Sequence, residues 1–480
     1  MTFERLFNCP PTNENLHTTK GNTFIMFRAH FIISERITTF HAMIKKIGIS
    51  IFFVLLLGLF AMKVSNMKYS DTGDRLYSKQ DCIEDLNRIS YEIKNTHPAP
   101  FDYISESDFD ALLQTQINAL EKENTLRDFH WIARKLIASI GCGHTSLNGQ
   151  LEERNIADSL HFPIDTRFVG DQLFVIHDDD RFPSLPIGTQ IKMINGQLSE
   201  SILRSMIQRV SSDGLNEAYP RYYINREVDF FLESHFDIPH TYDLLLANNR
   251  TINISAGAAH KQSITHGIPQ IENLELDIDL ENDIAILTIR SFNYYGTNYN
   301  EFARFVDKSM DEVRAKDINN LIIDIRGNGG GDPNCANHLL RHITKKSFQY
   351  FHESNMGYAD LKKQIQPYDV AYKGDTYMII DGGCGSTSGH LSSVVKYNNI
   401  ATLVGQTSGA TYKCHDNSGD VTLPNTKLNL HIARMTFRTA VEGMNMSEGV
   451  IPDIKIEKSL SDWTDGGDSV IDSIYQIINR

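Results

Sequence analysis

Two apolar runs that each break into a glycine-rich turn constrain this chain more than any other feature. The first is Leu321–Asp332 (LIIDIRGNGGGD) and the second opens at Tyr377 and runs into Asp381–Ser386 (DGGCGS). Short apolar runs bounded by turn residues read as strands covered on both faces. After the second turn, Leu391, Val394 and Val395 recur at helical spacing, so Ser386 stands at a strand-to-helix junction. Such a serine has two readings. It can cap the helix, or it can present its hydroxyl where N–H groups converge, as an acyl-transfer site requires. The run Gly329-Gly330-Gly331 lets main chain approach a ligand closely and aim N–H groups at it. The loop is no phosphate loop and no dinucleotide fingerprint, because the Gly-Lys-Ser/Thr ending and the Gly-x-Gly-x-x-Gly spacing are missing.

Around these turns, strand-like and helix-like segments alternate. Ile284–Ile289 reads as a strand, 302–313 as a helix, 334–342 as a helix and 401–405 as a strand. That alternation predicts a largely parallel sheet with right-handed crossovers. Upstream, three helices are expected. Ser78 with Asp81 and Thr125 with Asp128 form capping boxes, and His97-Pro98 stops the first helix. The third helix leads into Gly141-Cys142-Gly143-His144, a glycine-hinged turn. Residues 160–260 are mostly β, with a helix from Ser199 and a helical insertion around 216–236.

Several of these segments, taken together, resemble the S41 family of serine peptidases, which includes the tail-specific or C-terminal processing proteases and tricorn-like relatives. The segments are IIDIRGNGGG, the Ser386 turn, Ala401–Gly405 (ATLVG), Gly449–Asp453 (GVIPD) and Ile140–Leu147 (IGCGHTSL). The resemblance covers roughly residues 80–475. It implies an α/β fold: a crotonase-like β/α spiral catalytic core, an N-terminal helical bundle and a β-rich PDZ-like domain. Leu185–Gly196 is similar to a PDZ strand-turn, with Thr189 where an acid is usual. The expected organisation is an unassigned leader at 1–42, a signal peptide or anchor at 43–66, a helical domain at 78–150, a PDZ-like domain at 155–262 and the catalytic core at 272–480.

The resemblance also implies a chemistry. Aligning 401–405 with the family's strand places the nucleophile at Ser386, with Ser388 as competitor. Thr387 would then supply one oxyanion N–H and Gly330 the other. A serine hydroxyl needs a base to take its proton, and histidine suits that role near neutral pH. Ala410 stands where the tail-specific branch carries a lysine base, and Lys413 is out of register. The tricorn-like pattern of serine, histidine and acid therefore points to His144 as base. Glu448 and Glu442 are both candidates to orient it, with Glu448 preferred. The expected activity is a serine endopeptidase acting on peptides or unfolded proteins. The alternative is a non-catalytic relative that binds a peptide or an apolar ligand.

The net charge of −14 argues against nucleic acid and anionic membrane as partners. Lys45-Lys46 followed by the apolar run Ile47–Met62 is shaped like an export signal. It is shorter than the ~20 residues a full span needs. An exported protein of the periplasm or cell envelope is expected, with 47–62 as signal or anchor. Cys142 and Cys384 each lie two residues before a candidate catalytic residue, as two buried thiols or as a pair. No cofactor is expected, and no cysteine and histidine set shows zinc-ligand spacing.

Overall fold

The computed structural model describes residues 68–69, 75–148, 160–258 and 273–479. The unit Tyr69–Arg480 holds all the elements named below. The leader and the export-like segment at 43–66 lie outside the described residues. Among the described residues, no helix is long and apolar enough to cross a membrane.

Helices α1 (Lys79–Thr96), α2 (Glu106–Ala119) and α3 (Leu126–Ala138) open this unit. Both expected capping boxes form: the Ser78 and Thr125 hydroxyls accept from the N–H groups of Asp81 and Asp128, whose carboxylates reach back. Each satisfies two otherwise orphaned donors of a first helical turn. Strand β1 (Ser146–Asn148) follows the His144 turn.

The β-rich part comprises β2 (Thr166–Val169), β3 (Gln172–Val175), β4 (Gln190–Ile194), β5 (Thr241–Leu246) and β6 (Thr251–Ser255). They form an antiparallel sheet in the order β6-β5-β4-β3-β2. Between β4 and β5 run α4 (Ser199–Ile207), α5 (Ala218–Arg226) and α6 (Val228–Phe236). Phe231, Leu232, Ile224 and Met206 from these helices share one core with Ile191, Tyr242 and Leu244 of the sheet. The inserted helices are therefore part of this sheet's core.

The second sheet holds β7 (Leu274–Asp279), β8 (Ile284–Ile289), β9 (Asn320–Asp324), β10 (Asp375–Ile380) and β11 (Thr402–Gly405) in that spatial order. Only β7 is antiparallel to its neighbour; β8 to β11 are parallel. Helices α7 (Tyr299–Ala315), α8 (Pro333–Ile343) and α9 (Thr387–Asn398) make the crossovers. Alternation along the strands buries both faces. Leu321, Ile323, Met378, Ile380 and Leu403 enter one core, where α7, α8 and α9 pack. Ile322, Ile379 and Val404 enter another against Val470 and Ile474 of the C-terminal helix. This is why the strand sequences are continuously apolar.

Four later strands, β12 (Lys413–Asp416), β13 (Gly419–Thr422), β14 (Asn429–Ile432) and β15 (Met435–Arg438), leave the sheet. β12 pairs with β15, and β14 pairs with both β13 and β1. Leu423, Leu428, Leu430 and Ile432 thereby enter the core of the helical bundle. The N-terminal helical domain is thus completed by chain from the C-terminal third, which sets the segment after His144 against it.

Candidate active site

Because β9 and β10 are parallel neighbours, both glycine turns emerge on the same sheet edge. That is where open α/β sheets bind ligands. A small set of buried polar groups locks the turns together. Asp381 Oδ1 accepts from the N–H of Gly327 at 2.8 Å and of Gly383 at 2.9 Å. Asn328, fully buried, accepts on Oδ1 from Gly330 N–H at 2.9 Å and from Ser388 Oγ at 2.8 Å. Its carbonyl accepts from Gly385 N–H at 3.1 Å. Behind the loop, Asp324 pairs with Arg290 and Arg326, each at 2.7 Å, and Arg326 also pairs with Asp468. Burial alone would raise the Asp324 pKa, but the two guanidinium groups outweigh it and hold the carboxyl well below its usual range.

Ser386 sits at φ 47°, ψ −121°, a region non-glycine residues avoid, and its side chain caps nothing. The simple N-cap reading therefore fails. Among the described residues its hydroxyl makes no hydrogen bond. Strain of about 1–3 kcal/mol is typical of such a position and persists only where the surroundings over-determine it. Here they do. Gly330 (φ 106°) packs so close that a Cβ on it would lie 2.7 Å from Ser386 Cβ and 2.9 Å from Thr387 N. Gly331 (φ 137°) lies flat against Phe292, where a Cβ would sit 2.2 Å from the carbonyl carbon. The Thr387 hydroxyl donates to Gly331 O at 2.5 Å. Ser388, the competitor, is fully buried and committed to Asn328.

Thr387 N–H, at the start of α9, carries no hydrogen bond among the described residues, as an oxyanion donor must not. The other expected donor is placed differently. Gly330 touches Ser386, but its N–H is turned to Asn328. The N–H groups of Gly329 and Gly331 on either side carry no hydrogen bond among the described residues.

His144 is half-buried in the turn beyond α3. Its Nε2 lies 3.7 Å from Asp416 Oδ2 at the end of β12. Its Nδ1 is buried without a hydrogen-bond partner. Its carbonyl accepts from Ser418 Oγ at 3.2 Å. The preceding N–H, of Gly143, donates to buried Asp213 Oδ1 at 2.8 Å. Burial raises the Asp213 pKa, against an opposing pull from His144. His390 lies one turn beyond Ser386 on α9, and its N–H bonds Ser386 O at 3.0 Å. Burial, then the proximity of His144, pushes His390 down to about 3. His144 thus lies near α9.

Glu448 and Glu442 are exposed and, among the described residues, have no hydrogen bond or ion pair. The carboxylates around His144 are instead Asp416 and Asp213, neither of which the sequence singles out. Asp453 bonds Leu403 N–H at 2.9 Å and pairs with Lys396, holding β11 in place. Ala410 is buried beside the nucleophile turn, with its N–H on Cys384 O at 3.0 Å. Lys413 is tied to Asp102. Cys142 and Cys384 are both free and buried, and they bond elsewhere: Cys142 Sγ toward His415 O at 3.8 Å and Cys384 Sγ toward Ile325 O at 3.1 Å.

A cavity of about 890 Å³ lies between the β-rich part and the core, lined by Tyr222, Asp381, Gly382, Thr407, Lys458 and Trp463 among others. It meets the Ser386 turn at Asp381 and Gly382 and is bordered by neither Ser386 nor His144.

Residues 283–456, which span the parallel sheet and both turns, match the model of peptidase family S41. Residues 283–456 thus carry the pattern of an S41 peptidase core. The mature CPAF structure complexed with lactacystin superposes with a TM-score of 0.59 at 12% identity, covering 84% of this chain and 99% of that one. A serine-to-alanine mutant of CPAF gives 0.60 at 12% identity, covering 84% and 98%. At such identity the likeness concerns the fold, and it covers more of the chain than residues 283–456. No curated protein matches the sequence significantly.

Proposed function

We propose that this protein is an S41-type serine peptidase that cleaves peptides or unfolded chains through an acyl-enzyme. The single observation carrying this reading is Ser386, a strained, uncapped serine on a strand-to-helix turn beside an unused Thr387 N–H. Ser386 Oγ attacks the scissile carbonyl and its proton passes to His144. The oxyanion is held by Thr387 N–H and by an N–H of the 329–331 loop. Collapse breaks the C–N bond, and the amine leaves with the proton from His144. Water then repeats the sequence on the ester. Asp416 faces the imidazole and stabilises the cation that forms, while Asp213 fixes the turn through Gly143 N–H; these two replace Glu448 as the acidic members. Export to the cell envelope is part of the proposal, resting on Lys45-Lys46 and the Ile47–Met62 run.

The test is intact-mass labelling with a fluorophosphonate. One adduct, lost in both Ser386→Ala and His144→Ala, is expected. A folded protein that takes no label while binding peptide would instead favour the non-catalytic reading.

A further inference from the structure

On the far side of α8 from the reacting turn lies a second cluster of chemistry-bearing side chains. His338 and His342 are one helical turn apart on α8 and project from the same face. Opposite them, α7 contributes Asp307. Its Oδ1 lies 2.9 Å from His338 Nε2 and 2.8 Å from His342 Nε2. Two imidazoles and a carboxylate thus converge with the same ring nitrogen of each histidine. These ligand atoms all lie within 4.8 Å of one another.

The surroundings orient the rings. His338 Nδ1 lies 2.9 Å from the Tyr368 hydroxyl and 3.3 Å from that of Tyr299, which leaves Nε2 facing Asp307. Tyr368 is itself fixed by Arg341, whose guanidinium sits 3.9 Å over its ring. The His342 ring packs at 4.6 Å on Tyr368 and 5.0 Å from His338. Metal-ligating histidines characteristically have their second nitrogen held by such an outer group, as His338 has, whereas His342 Nδ1 is buried without a hydrogen-bond partner and is oriented by ring packing alone. Both histidines are buried, whereas the Asp307 side chain is half exposed, so the cluster is walled on the inside and open to solvent on one side.

We propose that Asp307, His338 and His342 form a site for a divalent transition metal, with zinc the best fit. A mixed imidazole and carboxylate set suits zinc, and its open side leaves a position for water. Magnesium and calcium, which take all-oxygen sets, do not fit. With zinc–ligand bonds of about 2.0–2.2 Å, tetrahedral ligand atoms stand about 3.3 Å apart. The two carboxylate–imidazole separations need to open by only about 0.5 Å to reach that value, within the reach of one χ adjustment on exposed Asp307. The metal would clamp α7 to α8. Because α8 begins at Asp332–Pro333, directly after the glycine loop, the clamp steadies the helix that anchors that loop. The site is independent of the Ser386 and His144 chemistry.

The test uses the purified full chain, stripped with a chelator. It is titrated with zinc by calorimetry and with cobalt(II) by visible absorption. One equivalent should bind, with a four-coordinate cobalt spectrum and a rise in melting temperature on adding zinc. Asp307→Asn, a conservative change at an exposed carboxylate, should weaken binding by about 10–100-fold or more. His338→Gln with His342→Gln should abolish the cobalt spectrum. Absence of stoichiometric binding overturns the proposal, as does binding unchanged in Asp307→Asn. If the double variant fails to fold, the Asp307→Asn titration decides.

Discussion

The turn that carries Ser386 and the turn that carries His144 are built in opposite ways. The serine turn is over-determined. Asp381 and Asn328 bind its backbone from inside, Ser388 donates to the Asn328 side chain, Gly330 presses on it, and Thr387 ties it to Gly331 of the neighbouring loop. The histidine turn is tied through its backbone, with Gly214 N–H on Gly141 O, Thr145 N–H on Cys142 O, Gly143 N–H on Asp213 and Ser418 Oγ on His144 O, while its side chain is left loose. The imidazole itself has Asp416 at 3.7 Å, too far for a hydrogen bond, and a bare Nδ1. A strained nucleophile needs a rigid frame to hold its strain, whereas a base must take and return a proton and tolerates looser support.

The largest effects should come from the two reacting groups. Ser386→Ala and His144→Ala should each lower kcat/KM by about 10⁴-fold or more, and the double variant should be little worse than either. Additive losses in that double-mutant cycle would show that the two turns do not act as one unit.

Next in size is the foundation of the serine turn. Asp324→Asn strips a buried carboxylate from between two arginines and should cost about 3–5 kcal/mol in denaturant unfolding. The sign of the pH effect follows from its lowered pKa. Asp324 stabilises the fold above about pH 4, the unfolded value, and that contribution is lost as pH falls toward the lower folded value. The variant should therefore show a flatter acid limb. An unchanged limb would mean that the loop stands without this anchor.

Gly330→Ala probes the frame from above. The new Cβ collides with Ser386 at a φ that alanine avoids. Activity should fall about 10²–10³-fold, as when an oxyanion donor is lost. The same change at exposed Gly467, where a Cβ would meet only Asp462 Oδ1 at 3.9 Å, should leave activity intact.

The histidine side is sharpened by its acids. Asp416→Asn and Asp213→Asn should each lower kcat by about 10–100-fold, or about 1.4–2.7 kcal/mol. Glu448→Gln should change it by less than about twofold, as expected for an exposed group without a partner. A large Glu448→Gln effect would return that residue to the catalytic set.

What the sequence made legible was local. Continuous apolar runs identified β9 and β10, the capping boxes marked α1 and α3, and the glycines marked both turns. The direction of a single N–H was not legible: Gly330 touches the nucleophile yet points inward to Asn328, because loop dihedrals are set by tertiary packing. Nor were Asp213 and Asp416, which reach His144 from distant segments. Chain from β13 and β14 completing the helical bundle left no local mark either, since its alternation is equally that of a hairpin. His338 and His342 stand in the sequence as an i, i+4 pair, but Asp307 joins them only when α7 packs on α8.

The smallest expected effect is also the most discriminating for the serine turn. Ser388→Ala removes one donor to Asn328 Oδ1 while Gly330 N–H remains on the same oxygen. No buried acceptor is left bare, so the cost should be only about 1 kcal/mol, at the low end for a buried hydrogen bond. Fluorophosphonate labelling should proceed at nearly the normal rate, because Ser386 and Thr387 keep their positions. If labelling is instead lost while the protein stays folded, Ser388 is the reacting group and the strained residue beside it is only its support.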